Sequence, residues 1–408
     1  MAEMMYSADR RRTCFAVMDG GHIREMESLT AGGVGLLRPY STQNNLLTHG
    51  VILFPSEIVP LRSRGEIVAS IRAFIHRYAD LSESFEEVAA HYVLLSWVHD
   101  AFSELPYLRL KGDFGSGKSR CLLTIGSICY KPMFVSGAST VSPMFRIIDA
   151  FRGTLILDES DFRFSDEKAE IIKILNNGNA LGFPVLRSDV TPGREFNPRA
   201  FAVFGPKILA SRLMFDDVAL ESRCITEVMS GLAPRADIPL SLPPRFHEEA
   251  QELRNQLLRF RLECFPKYRN RPLPMVNGVE ARIGQVFAPL LAMTESDEER
   301  QRLLRLAHGQ AQVVKAEREA STEAQILDIM SSMRREKKAW TVKGIAEEYA
   351  SRFKDDLDRP VTPRWIGAQL RRRLSVTPLR YQGTFIVPKS AETRICALLD
   401  KFGLEKGW

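Results

Sequence analysis

The chain has no long apolar run, no Cys-x-x-Cys pair and no cluster of histidines. Nowhere does a hydrophobic stretch approach the roughly 20 residues that a membrane span needs, so no membrane partner is expected. The six cysteines (Cys14, Cys121, Cys129, Cys224, Cys264 and Cys396) are scattered, and the seven histidines cluster with none of them. That spacing supports neither a zinc site nor a disulfide framework. It points to a reduced, cytoplasmic protein. Residues 1–19 carry charges early and lack the apolar core of a signal peptide. The 408 residues, 45% of them hydrophobic and 26% charged, read as ordinary soluble protein of about two or three domains.

Net charge is +6, and its location says more than its size. Residues 321–408 hold 17 Lys and Arg against 11 Asp and Glu, which is the whole excess. A basic terminal module beside an electrically balanced remainder suggests a polyanionic partner.

The strongest signal is Gly112-Asp113-Phe114-Gly115-Ser116-Gly117-Lys118-Ser119, which fits G-x-x-x-x-G-K-[ST] at every fixed position. Residues 107–110 before it read as a strand and 120–128 after it as a helix, the context a phosphate-binding loop requires. Gly112, Gly115, Ser116 and Gly117 let backbone N–H groups curl around phosphate oxygens, and the helix N-terminus adds its positive dipole end. Lys118 is expected to reach the β- and γ-phosphates of ATP, and the Ser119 hydroxyl to hold Mg²⁺. A second signal, Gly153 to Glu159, reads as a buried parallel strand ending in two carboxylates. Asp158 is expected to hold Mg²⁺ through water, and Glu159 to orient and deprotonate the attacking water. Taken alone, that acidic end would fit a capped strand equally well.

Four segments follow from composition and periodicity. Residues 1–50 hold a hairpin turning at Asp19-Gly20-Gly21, and 51–233 alternate helices with strands. Proline-rich 234–244 opens a helical lid or linker reaching to 320, and 321–408 form the basic module. The alternation predicts an α/β P-loop domain in three layers with a mostly parallel sheet. In the module, three helices and a hairpin are expected, the winged-helix pattern, with Thr362-Pro363 starting the third helix. Arg364, Arg371, Arg372 and the wing's Arg380 are candidate phosphate contacts, and Gln369 can reach a base edge. A solvated protein-docking helix is the competing reading. Trp365 and Tyr381 read as core residues of this small module.

The stretch from about 54 to 227 resembles the P-loop ATPase domain of phage- and mobile-element-encoded replication proteins of primase-helicase type. Residues 108–119, 152–164, 204–211 and 219–224 carry that likeness. In layout it is similar to AAA+ ring helicases of the superfamily 3 and minichromosome-maintenance groups. Those insert a DNA-touching β-hairpin between the acidic and sensor strands. The resemblance implies ATP and Mg²⁺ as cofactors, single- or double-stranded DNA as partner, and a homo-oligomeric ring. It implies an arginine finger at Arg223, for which a helix-capping arginine is the alternative. It implies pore contacts at Arg187 and Arg194, unless 184–204 is an ordinary surface hairpin. Ser211 stands at the sensor position, where ring helicases usually carry Asn or Thr, and Arg282 on a lid helix can serve as a second sensor. The function implied is a DNA helicase or translocase of a phage or mobile element, acting in replication. The rivals are an ATP-gated DNA-binding regulator or loader, and a scaffold with a degenerate nucleotide site.

Overall fold

Short apolar runs without alternation build the middle of the first half of the molecule. The computed structural model describes residues 1–408 except 32, 34, 159–165, 191–195, 216, 230, 232–233, 270, 320, 354–359 and 406–408. It divides into two compact units, Met1–Ala307 and His308–Trp408. The first opens with β1 (Ala2–Ser7), β2 (Arg12–Asp19), β3 (His22–Met26), β4 (Leu29–Ala31), β5 (Gly35–Leu37), α1 (Asn45–Thr48), α2 (Arg64–Tyr78) and α3 (Glu83–Trp97). Then come β6 (Tyr107–Lys111), α4 (Lys118–Gly126), β7 (Met133–Ser136), α5 (Val141–Phe151), β8 (Leu155–Asp158), α6 (Asp166–Asn177), β9 (Val185–Val190) and β10 (Phe196–Phe201). The series continues with β11 (Lys207–Ser211), α7 (Val218–Glu221), β12 (Cys224–Val228), α8 (Pro244–Arg269) and α9 (Ala281–Ala292), and α10 (Asp297–Glu319) runs across the division between the units.

Five strands form one parallel sheet in the order β12-β6-β11-β8-β7. Tyr107, Leu108 and Leu110 on β6, with Leu155, Ile156 and Leu157 on β8, are buried, as a sheet covered on both faces demands. Tyr107, Leu155, Leu157 and Leu209 face the apolar stripe of α5 and α6, including Met144, Phe145, Ile148 and Ile174. Ile156, on the opposite face, lies against Gly126 of α4, where a Cβ would stand 3.0 Å from its side chain. The three expected layers are present. The hairpin β9–β10 is antiparallel and stands between the acidic strand β8 and β11.

The first 26 residues form an antiparallel sheet, β1-β2-β3, whose β2–β3 turn was legible and whose β1 was not. Strand β1 is locked to the core by a buried ion cluster. Glu3 accepts from Arg261 Nε at 2.6 Å and from the Tyr130 hydroxyl at 2.8 Å, and Lys131 Nζ lies 2.9 Å away. Burial alone would raise the Glu3 carboxyl, but Lys131 and Arg261 outweigh it and hold the group at about 2. A depressed carboxylate stabilises the fold fully above its unfolded value near 4.5 and loses that contribution as pH falls toward 2. Glu3→Gln should therefore cost about 3 kcal/mol at neutral pH, read as a lower urea midpoint. The deficit should shrink steadily between pH 4.5 and 2. A variant that unfolds at the parent's midpoint would show that the cluster contributes nothing.

The second unit packs α11 (Thr322–Arg335), α12 (Val342–Arg352), α13 (Pro363–Arg372) and α14 (Glu392–Phe402) around Ile326, Ile345, Ile366, Leu370 and Ile395. Thr362 caps α13 by accepting from Trp365 N–H, with Pro363 in its first turn, as the sequence predicts. A hairpin of β13 (Leu379–Tyr381) and β14 (Thr384–Ile386) precedes α14, which the sequence reading missed. Among the described residues, no helix is long and apolar enough to cross a membrane.

Candidate nucleotide site

The loop from Gly112 to Gly117 joins the end of β6 to the first residue of α4. Gly117 is the N-cap with φ 87°, a left-handed value that a side chain resists. At Gly112 a Cβ would stand 2.9 Å from both Cβ and the carbonyl oxygen of Met229, so only glycine fits there. The Lys118 ammonium folds over the loop, donating to the carbonyls of Gly112 and Asp113, each at 2.6 Å, and reaching Ser116 Oγ at 3.3 Å. Ser119, one residue on, donates its hydroxyl to Asp158 Oδ2 at 2.6 Å.

Sheet order explains why residues so far apart in sequence meet. Strand β11 lies between β6 and β8, with Ser211 beside Lys111 and Leu209 beside Leu157. All three strands are parallel, so Lys118, Asp158 and Ser211 gather at one edge, the carboxyl ends where such sheets place ligands. They line one cavity of about 320 Å³ together with Gly115, Gly117 and Arg212. The Ser211 hydroxyl is buried there with no hydrogen-bond partner among the described residues. A buried hydroxyl without a partner costs free energy unless something supplies one. The guanidinium of Arg212 lies 3.8 Å from the centroid of the Phe114 ring, and both residues line the cavity.

A second cavity, about 620 Å³, shares Gly115, Ser116 and Gly117 as a wall and extends to Tyr78, Glu227 and Pro239. Its far side is pinned by Arg120, whose guanidinium donates to the carbonyls of Pro239 at 3.0 Å and Leu240 at 2.6 Å. Nothing in the sequence pattern marked Arg120 beyond its position directly after Ser119. A loop that tolerates no Cβ at Gly112, a lysine over it, a hydroxyl–carboxylate pair and an orphaned hydroxyl fit a nucleoside triphosphate with its Mg²⁺. Glu159, expected beside Asp158, lies outside the described residues.

Arg223 stands elsewhere. It immediately precedes β12, and its carbonyl accepts from Tyr107 N–H at the start of β6. That is the sheet edge opposite the loop. Its guanidinium donates to Asn179 Oδ1 at 2.7 Å, to Asn176 Oδ1 at 3.0 Å and to the Ala219 carbonyl. Asn176 in turn donates to Asp217, which caps α7. Partial burial, then the nearby charge of Arg282, lowers the Arg223 pKa. Arg282 Nε is 3.4 Å from Ser222 Oγ. So the structure does not bring Arg282 to its own chain's phosphate loop. It sets it beside Arg223, because α9 packs near the strand edge where β12 begins.

The remaining candidates divide. Arg187, on β9, pairs with Glu170 at 3.0 Å and lies 5.2 Å from the Phe145 ring centroid, so it is engaged with α5 and α6. Arg194 lies outside the described residues. In the second unit, Arg364, Arg371, Arg372 and Arg380 are exposed, and among the described residues none has a carboxylate partner, whereas their neighbour Arg373 pairs with Glu323 at 3.4 Å. Gln369 is half-buried on α13. Trp365 packs against Tyr349, with ring centroids 5.5 Å apart, as a core residue should. Tyr381 does not: it is 60% exposed on its short hairpin.

No protein-family model matches the chain, and no curated protein matches it. Among solved structures it is similar to the apo C-terminal region of NrS-1, at 11% identity over 95% of this chain and 96% of that one, with a TM-score of 0.37. It is also similar to Cch of SCCmec type IV, described as an active helicase, at 11% identity over 90% of this chain and 79% of that one, TM-score 0.36. A third is JCV helicase bound to a thiazolopyridinyl phenoxyphenyl acetamide, at 13% identity over 61% of each chain, TM-score 0.27. At such scores the likenesses carry no argument, and the sheet order and site geometry stand on this chain alone.

Proposed function

We propose that the chain is an ATP-hydrolysing, AAA+-like DNA helicase or translocase that works as a homo-oligomeric ring in the replication of a phage or mobile element. One observation carries this reading: Lys118, the Ser119–Asp158 pair and the Ser211 hydroxyl, unpartnered among the described residues, converge in a single cavity at the carboxyl edge of three adjacent parallel strands. The domain limits that go with it are an N-terminal segment to 50, the ATPase to 233, a helical lid to 320 and a winged-helix module beyond.

Within the site, loop N–H groups from Gly115 to Ser119 receive the phosphates, and Lys118 leaves the Gly112 and Asp113 carbonyls to bind the terminal ones. Ser119 and, through water, Asp158 would hold Mg²⁺, whose charge when bound neutralises the phosphate oxygens. Ser211 donates its hydroxyl to the attacking water or the γ-phosphate. Glu159, next to Asp158, orients that water and takes its proton. The adjoining cavity behind Gly117 receives base and ribose. Arg223 and Arg282, two cations side by side, face an anion the chain's own loop cannot offer them. A neighbouring subunit's γ-phosphate is that anion, and the ring closes the site. Arg364, Gln369, Arg371, Arg372 and Arg380 engage DNA from the module, and Arg194 and, by releasing Glu170, Arg187 from the β9–β10 hairpin.

The test is turnover of ATP by the full chain with Mg²⁺, with and without DNA, alongside displacement of a strand from a forked duplex. DNA-stimulated hydrolysis with strand displacement is expected. Hydrolysis and DNA binding without displacement would leave an ATP-gated loader. Nucleotide binding without turnover, even with DNA, would leave a scaffold.

A further inference from the structure

Between Val376 and Val387 the chain carries no acidic residue, and its hairpin shows apolar surface on both sides. Leu379 is 53% exposed, Tyr381 60% and Phe385 52%. The register sets Leu379 opposite Ile386, Arg380 opposite Phe385 and Tyr381 opposite Thr384. Paired residues share a face and successive ones alternate, so Leu379 and Tyr381 lie on one face, Arg380 and Phe385 on the other. Gln382 (φ 47°) and Gly383 (φ 82°) close the ribbon in a tight two-residue turn. Its base is held by the bridge from Ile386 to Thr341 and by Val387 N–H donating to the Trp340 carbonyl at 2.8 Å. The result is an anchored two-stranded blade with one exposed aromatic ring per face.

Exposed rings of this kind need an explanation, since a ribbon gains nothing by presenting them to water. The charge around them narrows the choice. Arg380 shares a face with the Phe385 ring, and like Arg364, Arg371 and Arg372 of the same unit it has no carboxylate partner among the described residues. The matching occupant is flat, apolar on its faces and anionic along its edge. A nucleobase on its phosphate backbone has that form, and base–aromatic stacking is sequence-tolerant. Inside a duplex the base faces are covered by their neighbours. Only an unpaired or splayed strand exposes them.

We infer that the blade of Tyr381 and Phe385 is a stacking site for unpaired nucleobases, so that the module grips single-stranded DNA or the open arm of a fork rather than intact duplex. The inference rests on the DNA partner proposed above and adds which form of DNA the module takes. Arg380 supplies the phosphate contact, and the two rings supply the discrimination between strand forms.

The experiment compares the full-length parent with Tyr381→Ala/Phe385→Ala. Each is titrated against labelled oligothymidine and against a blunt duplex across a salt series. Both side chains are exposed, so the variant should fold, which its melting curve checks. Affinity for oligothymidine should fall roughly 5- to 100-fold for each stacked base lost. Duplex affinity and the salt slope should stay unchanged, because no phosphate contact is removed. Arg380→Ala should do the reverse, flattening the salt slope on both DNAs. Tyr381→Trp/Phe385→Trp should keep single-strand affinity, since a larger ring stacks as well. Unchanged oligothymidine binding in the alanine variant, or an equal loss on both DNAs, would overturn the stacking site while leaving the DNA partner intact. Loss of binding to anionic phosphatidylserine vesicles with oligothymidine binding intact would reassign the blade to a membrane surface and overturn it too. A parent that binds neither DNA would overturn the proposed function itself.

Discussion

Lys118→Ala is expected to lose most ATP binding, by roughly 100-fold or more, because charge-assisted contacts to two phosphates disappear together. The folded loop should survive the change. The Gly112 and Asp113 carbonyls that Lys118 now satisfies at 2.6 Å are half-buried and exposed respectively, so water can replace it. Binding loss without a fall in melting temperature is therefore the signature of a phosphate ligand rather than a structural lysine. Glu159→Gln should behave in the opposite way, holding ATP with the parent's affinity while turnover falls, since it removes only the base. Fluorescent-nucleotide titration reads the first effect and phosphate release the second. Equal ATP affinity in the Lys118 variant and the parent would sink the assignment.

The phosphate loop was legible because its chemistry is local. Gly112 to Ser119 are contiguous, and their spacing alone dictates a strand–loop–helix turn. Buried apolar strands were legible too: β6 runs one residue past its expected end at 110, and β8 lies inside the expected 153–159. Strand β12 was not, because Cys224-Ile225-Thr226-Glu227-Val228, at a sheet edge, is neither uniformly apolar nor regularly alternating. Its membership depends on pairing with Tyr107 to Lys111, more than a hundred residues away. Strand β1 was hidden for a related reason: Glu3 looks like a surface charge until Arg261, from α8, is folded against it. Lys207 is the plainest case. At the head of β11 it reads as a solvated strand end, yet its ammonium is buried on the carbonyls of Gly178, Val203 and Gly205. The placement of Arg282 beside Ser222 and the exposure of Tyr381 were hidden in the same way, since one helix's approach and one hairpin's packing leave no mark on local sequence.

Arg223→Ala should bind ATP nearly as well as the parent and still lose turnover, by roughly 10³- to 10⁵-fold if it acts as an arginine finger. The geometry explains why its own chain cannot use it. Arg223 precedes β12 at the edge where β6 begins, and the nucleotide loop follows β6 at the other edge. Five residues of strand, roughly 17 Å, separate the two ends. A finger placed there must serve another subunit's site. Its bonds to Asn176 and Asn179 leave a second reading, in which the side chain only ties α6 to the start of β12. Mixing variants separates the two. An interface formed by an Arg223→Ala subunit and a Lys118→Ala subunit can pair the intact loop of the first with the intact arginine of the second. Activity should return in the mixture although each variant alone is inactive. Arg282→Ala mixed with Lys118→Ala should recover in the same way, because Arg282 shares that edge through Ser222. If mixed oligomers form and remain as inactive as their parts, Arg223 is a structural tie and the shared site is wrong.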